Sequence, residues 1–415
     1  MALTIEQIPI GQLKPNPKNP RLNDEAVDAV ARSIQEFGFN VPIVTDADLN
    51  IAAGHTRLKA AHKLGLETVP VIRVPELVGS KFSGFMIADN RTGEIAEWDE
   101  KLLAELVESL NKAGDLNLAS LGFDDAALSD LLDFDVEDED DKADEAPPLP
   151  AVAVSRPGDL YILDSHRLLV GDATNPEDYR RLLAGEQIAC LLTDPPYGIK
   201  YTPRGQRSKE LGPILNDDLA PAALEGFLLA AFTNVARHAR SGATAYVFHA
   251  LGVAGVRPAF ERAFLSAGFH LSATLTWVKQ SSTLGHGDYR HRSEPILYGW
   301  RGEGHRRITD RTESTVWEIP REPNLHHVSQ KPVALLSRAI RNSTVRGELV
   351  LDPFIGSGST LICCEQLGRR CFALELDPRY CDVCVARWEK YTGRKAELIR
   401  TEPVAMEEVT PVDGN

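Results

Sequence analysis

Apolar positions along this chain keep two different rhythms. In its first third they recur at helical spacing over residues 25–36 and 55–63 and form short β-branched runs over 43–46 and 69–74, which predicts a small α+β unit. Amphipathic stretches at 99–112 and 124–132 predict two closing helices, the second with an Asp placed to cap it. From residue 167 onward the rhythm changes. Apolar runs at 167–170, 189–193, 243–248, 271–278, 349–351 and 371–374 predict strands, and they alternate with helical patterns at 222–238, 257–267, 333–343, 359–367 and 378–391. Strands separated by helices predict an α/β domain with a mainly parallel sheet. No internal repeat is evident.

Composition refines the boundaries. Residues 133–145 read DFDVEDEDDKADE, nine acids against one Lys. The run passes into APPLPAVAVSRPG, whose prolines keep the backbone extended. The expected division is an N-terminal unit at 1–132, a solvated acidic linker at 133–157, a large domain at 158–393 and a frayed acidic tail at 394–415. A net charge of −15 weighs against a nucleic-acid partner, but about half of it sits in that one run. There is no apolar run long enough to span a membrane, and MALTIEQIPIGQLKPNP lacks the order of a signal peptide. The expected compartment is therefore the cytoplasm, with no membrane partner. The six cysteines begin at Cys190 and are too few for a disulfide scaffold. Cys381 and Cys384 form a C-x-x-C with no matching second pair, so no metal is assigned.

Three segments carry candidate chemistry. The apolar run IACLL leads into Thr193-Asp194-Pro195-Pro196-Tyr197-Gly198. Two consecutive prolines cannot continue a central strand, so they stiffen a turn at its carboxyl end and fix the Asp and Tyr side chains. An exocyclic base amine is a poor nucleophile because its lone pair is delocalised into the ring. A carboxylate (Asp194) and a carbonyl (Pro195) that accept its hydrogens would favour the reactive, pyramidal nitrogen. Tyr197 is the candidate stacking platform for a base flipped out of a duplex. The second segment, ELVLDPFIGSGST at 348–360, runs from a strand through a Gly-rich turn into a helix, where small residues allow close approach of a ligand. It matches neither the pyrophosphate fingerprint nor a phosphate loop. In the third, CFALELD ends a strand at Glu375, an acid placed to accept ribose hydroxyls. An adenosine cofactor without a pyrophosphate fits both of the latter, and S-adenosylmethionine is one.

DPPY, followed far downstream by DPFIGSGST and then ALELDPRY, resembles the DNA amino-methyltransferases in the permuted order of their beta group. The resemblance implies a Rossmann-like, S-adenosylmethionine-dependent methyltransferase domain acting on double-stranded DNA. Because the Asp form of the tetrad goes mainly with adenine in that family, it also implies transfer to adenine N6. Asp194, Pro195, Pro196 and Tyr197 then form the catalytic set. Asp172 becomes the contact to the cofactor adenine, Glu375 the ribose acid, and Asp352, Pro353, Phe354, Gly356, Ser357, Gly358 and Thr360 the cofactor loop. Lys331, in Ser329-Gln330-Lys331-Pro332, is implied to lie beside the cofactor's methionine end. The interval from about Trp277 to Lys331 becomes the target-recognition region, with Lys279, Arg290, Arg292, Arg306, Arg307 and Arg311 as DNA-binding candidates. His326-His327 has no third ligand and receives no metal role.

The N-terminal unit resembles the ParB partition family and sulfiredoxin-like folds, through Asn19-Pro20-Arg21, AVDAVARSIQEFG, Pro42-Ile43 and AAGHTRLKAAHKLGL. That resemblance makes Gly54, His55, Thr56 and Arg57 candidates for holding a nucleotide phosphate. The usual Gly-Glu-Arg-Arg box reads Gly-His-Thr-Arg here, and no partition-type helix-turn-helix is expected after it. Two other readings compete: a methyltransferase for RNA or protein glutamine, disfavoured by the Asp and by the motif order, and a DNA-binding protein with a decayed methyltransferase, disfavoured by the intact motifs. Two copies could pair as a homodimer, and no restriction partner is identifiable.

Overall fold

The computed structural model describes residues 4–21, 23–93, 98–133, 141–199, 215–250, 255–283, 291–304, 313–320 and 330–400. The chain divides into two compact units, Met1–Asp135 and Val136–Asn415. In the first, four strands, β1 (Ile5–Pro9), β2 (Ile43–Thr45), β3 (Ile51–Ala53) and β4 (Thr68–Arg73), form a sheet in the order β1-β4-β2-β3. Ile8, Ile43, Ile51, Leu58, Val69 and Val71 form its core, where helix His55–Lys63 contributes Leu58. Helix Glu100–Ala113 starts at Asp99, whose side chain accepts from Leu102 N, and stops at the left-handed Gly114. A short turn at Leu118–Leu121 and helix Asp125–Asp133 follow. Helix Ser80–Gly93 lies where no element was expected.

The second unit is built on ten strands: β5 (Leu160–Leu163), β6 (His166–Val170), β7 (Ile188–Thr193), β8 (Ala239–Phe248), β9 (Phe269–Thr283), β10 (His291–Arg301), β11 (Val316–Glu318), β12 (Leu349–Asp352), β13 (Arg370–Glu375) and β14 (Glu397–Ile399). Their order is β11-β9-β10-β8-β7-β12-β13-β6-β5-β14. The middle five, β8-β7-β12-β13-β6, are all parallel. Helices cover both faces of such a sheet, so β7 and β12 are buried at every position and read as apolar runs up to their last residues, Thr193 and Asp352. Helices Pro176–Leu183, Pro221–His238 and Val256–Ser266 pack one face, and Val333–Ser343, Ser359–Gln366 and Pro378–Thr392 the other. Because the middle strands run in one direction, their carboxyl ends bring Gly171, Asp194, Asp352 and Glu375 to the same edge of the sheet.

Two expectations are corrected. The tail is not frayed from residue 394: β14 pairs with β5, and Arg400 holds Asp159 at 3.0 Å. The acidic run is not solvated throughout, because Ala143 is buried in the core of the second unit. One buried cation braces this framework. Arg369, 1% exposed, donates to the Thr344 and Leu367 carbonyls and to Thr344 Oγ1, tying the end of helix Val333–Ser343 to the turn before β13. Arg369→Met removes the donor to those acceptors and is expected to lower the unfolding free energy by about 3 kcal/mol. Chemical denaturation measures it, and a loss below about 1 kcal/mol contradicts the bracing role.

Candidate active site

The turn after β7 gives the site its acid. Asp194 Oδ1 accepts from Tyr197 Oη at 2.5 Å, and Oδ2 receives Lys331 Nζ at 2.5 Å. Burial pushes the Asp194 carboxyl up, while Lys331 and Tyr197 oppose the rise. Asp217, which the sequence did not single out, fixes the turn: its Oδ1 accepts from Tyr197 N at 2.9 Å and Gly198 N at 3.0 Å. Tyr197 stands edge-on to Phe260, with ring centroids 6.2 Å apart.

The Gly-rich turn after β12 lies across the same edge. Asp352 is buried, and its oxygens are engaged within the protein. Oδ1 accepts from Thr193 Oγ1 (2.8 Å) and Phe354 N (3.1 Å), and Oδ2 from Thr360 Oγ1 (2.7 Å). Its carboxyl is raised to about 6 by burial. The side chain expected among the cofactor residues therefore locks the loop to the end of β7. Gly358 adopts φ +87°, and a Cβ there would lie 3.1 Å from Cys384 Sγ, so a larger residue is strained twice over. At Gly356 an added Cβ meets no protein atom within 4 Å, which leaves that space to a ligand. Gly356 N donates to Glu375 Oε2 at 2.9 Å, and Asp377 N to Oε1 at 2.9 Å. Burial raises the Glu375 carboxyl to about 7. Asp172 Oδ1 accepts from Thr174 N and Oγ1, both at 2.8 Å.

One cavity of about 380 Å³ joins these groups. Asp172, Phe354, Gly356 and Glu375 line it together with Asp194, Tyr197, Lys331, Glu294, Lys279 and Trp277. Pro195, Pro196, Pro353, Ser357 and Thr360 line it too, whereas Gly358 acts through backbone shape. Two lysines line the same cavity. Lys331 turns its ammonium to Asp194 and, at 3.5 Å, to Glu294. Lys279, expected to meet DNA, is 8% exposed, pairs with Glu294 and stands 5.0 Å from the Trp277 ring. Arg292 is exposed, with Nε donating to the Lys279 carbonyl at 2.9 Å. Arg290, Arg306, Arg307, Arg311, His326 and His327 lie outside the described residues.

In the first unit, Gly54 takes φ +105° at the start of helix His55–Lys63. His55 Nε2 accepts from Asn16 N at 3.2 Å, and burial lowers its affinity for a proton. Arg57 donates to the Val41 carbonyl at 3.0 Å, and Thr56 lies between them on the first helical turn.

A DNA methylase family model matches residues 188–386. A ParB N-terminal domain matches 2–77, and a ParB-methyltransferase HTH domain matches 101–157. "Putative methylase YubD" of Escherichia coli (strain K12) is 30% identical over 197 residues, which is 47% of this chain and 79% of that protein. The chain belongs to the DNA methylase family. The match at 101–157 overturns the expectation that no helix-turn-helix follows the ParB-like region. The type II methyltransferase M.Cfr9I of Citrobacter freundii is 33% identical over 112 residues, 26% of this chain and 36% of its own length. The M1.HpyAVI–SAM complex superposes with a TM-score of 0.40 at 19% identity, covering 53% of this chain and 98% of that one.

The cofactor of this family member is S-adenosylmethionine. The cavity fits it: an open backbone at Gly356, an aromatic wall at Phe354 and a carboxylate at Glu375 suit a small adenosine ligand. Ribose hydroxyls would donate to the ionised form of Glu375, whose carboxyl burial raises to about 7. Its folded-state pKa is raised, so protonation as pH falls through that value removes the acceptor. Cofactor affinity measured by calorimetry is expected to weaken between about pH 8 and about pH 6, and Glu375→Gln to bind weakly with a flat profile. An unchanged slope in the Gln variant removes Glu375 from that role.

Proposed function

We propose that this DNA methylase transfers a methyl group to the N6 amine of adenine in double-stranded DNA. The observation that carries the reading is the Asp194 carboxylate, held by Tyr197 and Lys331 in the wall of the cavity that also contains Gly356 and Glu375. The Asp form of the tetrad supports adenine over cytosine.

Bound S-adenosylmethionine supplies a methyl group on a positively charged sulfur. The chain's own residues prepare the acceptor. A carboxylate has about four lone-pair sites, so with Tyr197 and Lys331 in place Asp194 can still accept from an incoming amine. Accepting that hydrogen draws the nitrogen lone pair out of the ring and toward the donor. Asp194 then stabilises the positive charge that develops on the nitrogen and receives the proton that must leave. A paired base cannot reach a recessed site, so it is flipped out, with the Tyr197 ring as its platform.

Nucleoside mass spectrometry of unmethylated duplex DNA, incubated with the protein and S-adenosylmethionine, tests the reading. 6-Methyladenine is expected, and Asp194→Ala is expected to lower its formation at least about 100-fold. 4-Methylcytosine instead overturns the base assignment, and full activity in Asp194→Ala overturns the mechanism.

A further inference from the structure

The segment after the acidic run lies against the machinery of the site. Helix Asp141–Asp144 delivers Ala143, 1% exposed, into the core shared with helices Ser359–Gln366 and Pro378–Thr392. From there three contacts reach residues that build the cavity. Gln330 Nε2 donates to the Asp144 carbonyl at 2.7 Å, immediately before Lys331. Val333 N donates to Asp144 Oδ1 at 3.1 Å, so Asp144 caps the helix that begins just after Lys331-Pro332. Arg387, 2% exposed, donates through Nη2 to the Ala143 carbonyl and through Nη1 to the Ser357 carbonyl of the cofactor loop, at 2.5 and 2.8 Å. Glu145 adds an ion pair with Lys390 at 2.6 Å.

We infer that residues 143–145 are a positioning element of the active site, in which Asp144 sets Lys331 against Asp194 and, through Arg387, the cofactor loop is held in its binding shape. The inference rests on the proposed roles of Asp194 and the loop and is independent of which base is methylated. A segment serving only as a tether needs no cap on Val333 and no shared arginine. Here one guanidinium bridges the strap and the Ser357 carbonyl, so loss of the strap frees both the loop and the start of the Lys331 helix.

The test uses the full chain and three readouts: cofactor dissociation constant by calorimetry, thermal unfolding, and the pH profile of single-turnover methylation. Asp144→Ala removes the cap and is expected to weaken cofactor binding about fivefold, an effect of the size a lost helix cap produces. It is also expected to move the acid limb of the rate profile to higher pH, because a displaced Lys331 no longer favours ionised Asp194. Asp144→Asn keeps an oxygen at the capping position and is expected to restore cofactor affinity to within about twofold. Wild-type affinity and pH profile in Asp144→Ala overturn the inference, as does an Asn variant as weak as the Ala variant. If methylation is absent in every variant while the affinities follow this order, the positioning role stands and the proposed reaction fails.

Discussion

The active-site edge depends on one buried carboxylate. Asp352 accepts from Thr193 at the end of β7, from Phe354 at the start of the cofactor loop and from Thr360 at the start of the following helix. Burying a carboxylate is costly, and burial has moved this one to about 6. Its hydrogen bonds offset that cost and in return fix three segments to one another. The order of strands in the sheet makes the arrangement available: β7 and β12 are parallel neighbours, so Thr193 and Asp352 finish side by side.

Charge balance in the cavity follows from the same geometry. Seven acids, Asp172, Asp194, Asp217, Glu294, Asp352, Glu375 and Asp377, line it together with two lysines, Lys279 and Lys331. Both lysines pair with Glu294, and Lys331 also reaches Asp194. Glu375 instead accepts from two backbone amides, those of Gly356 and Asp377. Burial therefore raises Glu375 to about 7, whereas Asp194 has a compensating ammonium beside it. Burial raises both acids, and the Lys331 ammonium limits the rise at Asp194.

Much of this was legible in the sequence because strand ends are local features. The turn at Asp194-Pro195-Pro196-Tyr197, the loop from Asp352 and the acid at Glu375 each follow an apolar run, and a parallel sheet gathers such ends. Helix Val333–Ser343 was expected with the same bounds. Short edge strands escaped notice, since β11 has three residues and β14 is exposed at each position, and so did the interior strand β10, which is interrupted by Pro295 and Gly299. Contacts between distant residues were not legible either. Lys331 reaches Asp194 across 137 positions, and Arg387 reaches Ala143 across 244. Lys279 looked like a phosphate contact because a cation in an Arg-rich interval suits DNA, but its burial beside Glu294 and Trp277 shows only in three dimensions.

The central claim is that Asp194 works as a carboxylate held ionised by Lys331. The most direct test is the pH dependence of single-turnover methylation for the wild type, Lys331→Arg and Lys331→Met. Without a cation, a buried Asp194 loses its counter-charge and its pKa rises. The Met variant should therefore have its acid limb shifted upward by about one pH unit or more, with the Arg variant close to wild type. An acid limb in Lys331→Met that coincides with wild type would contradict the account.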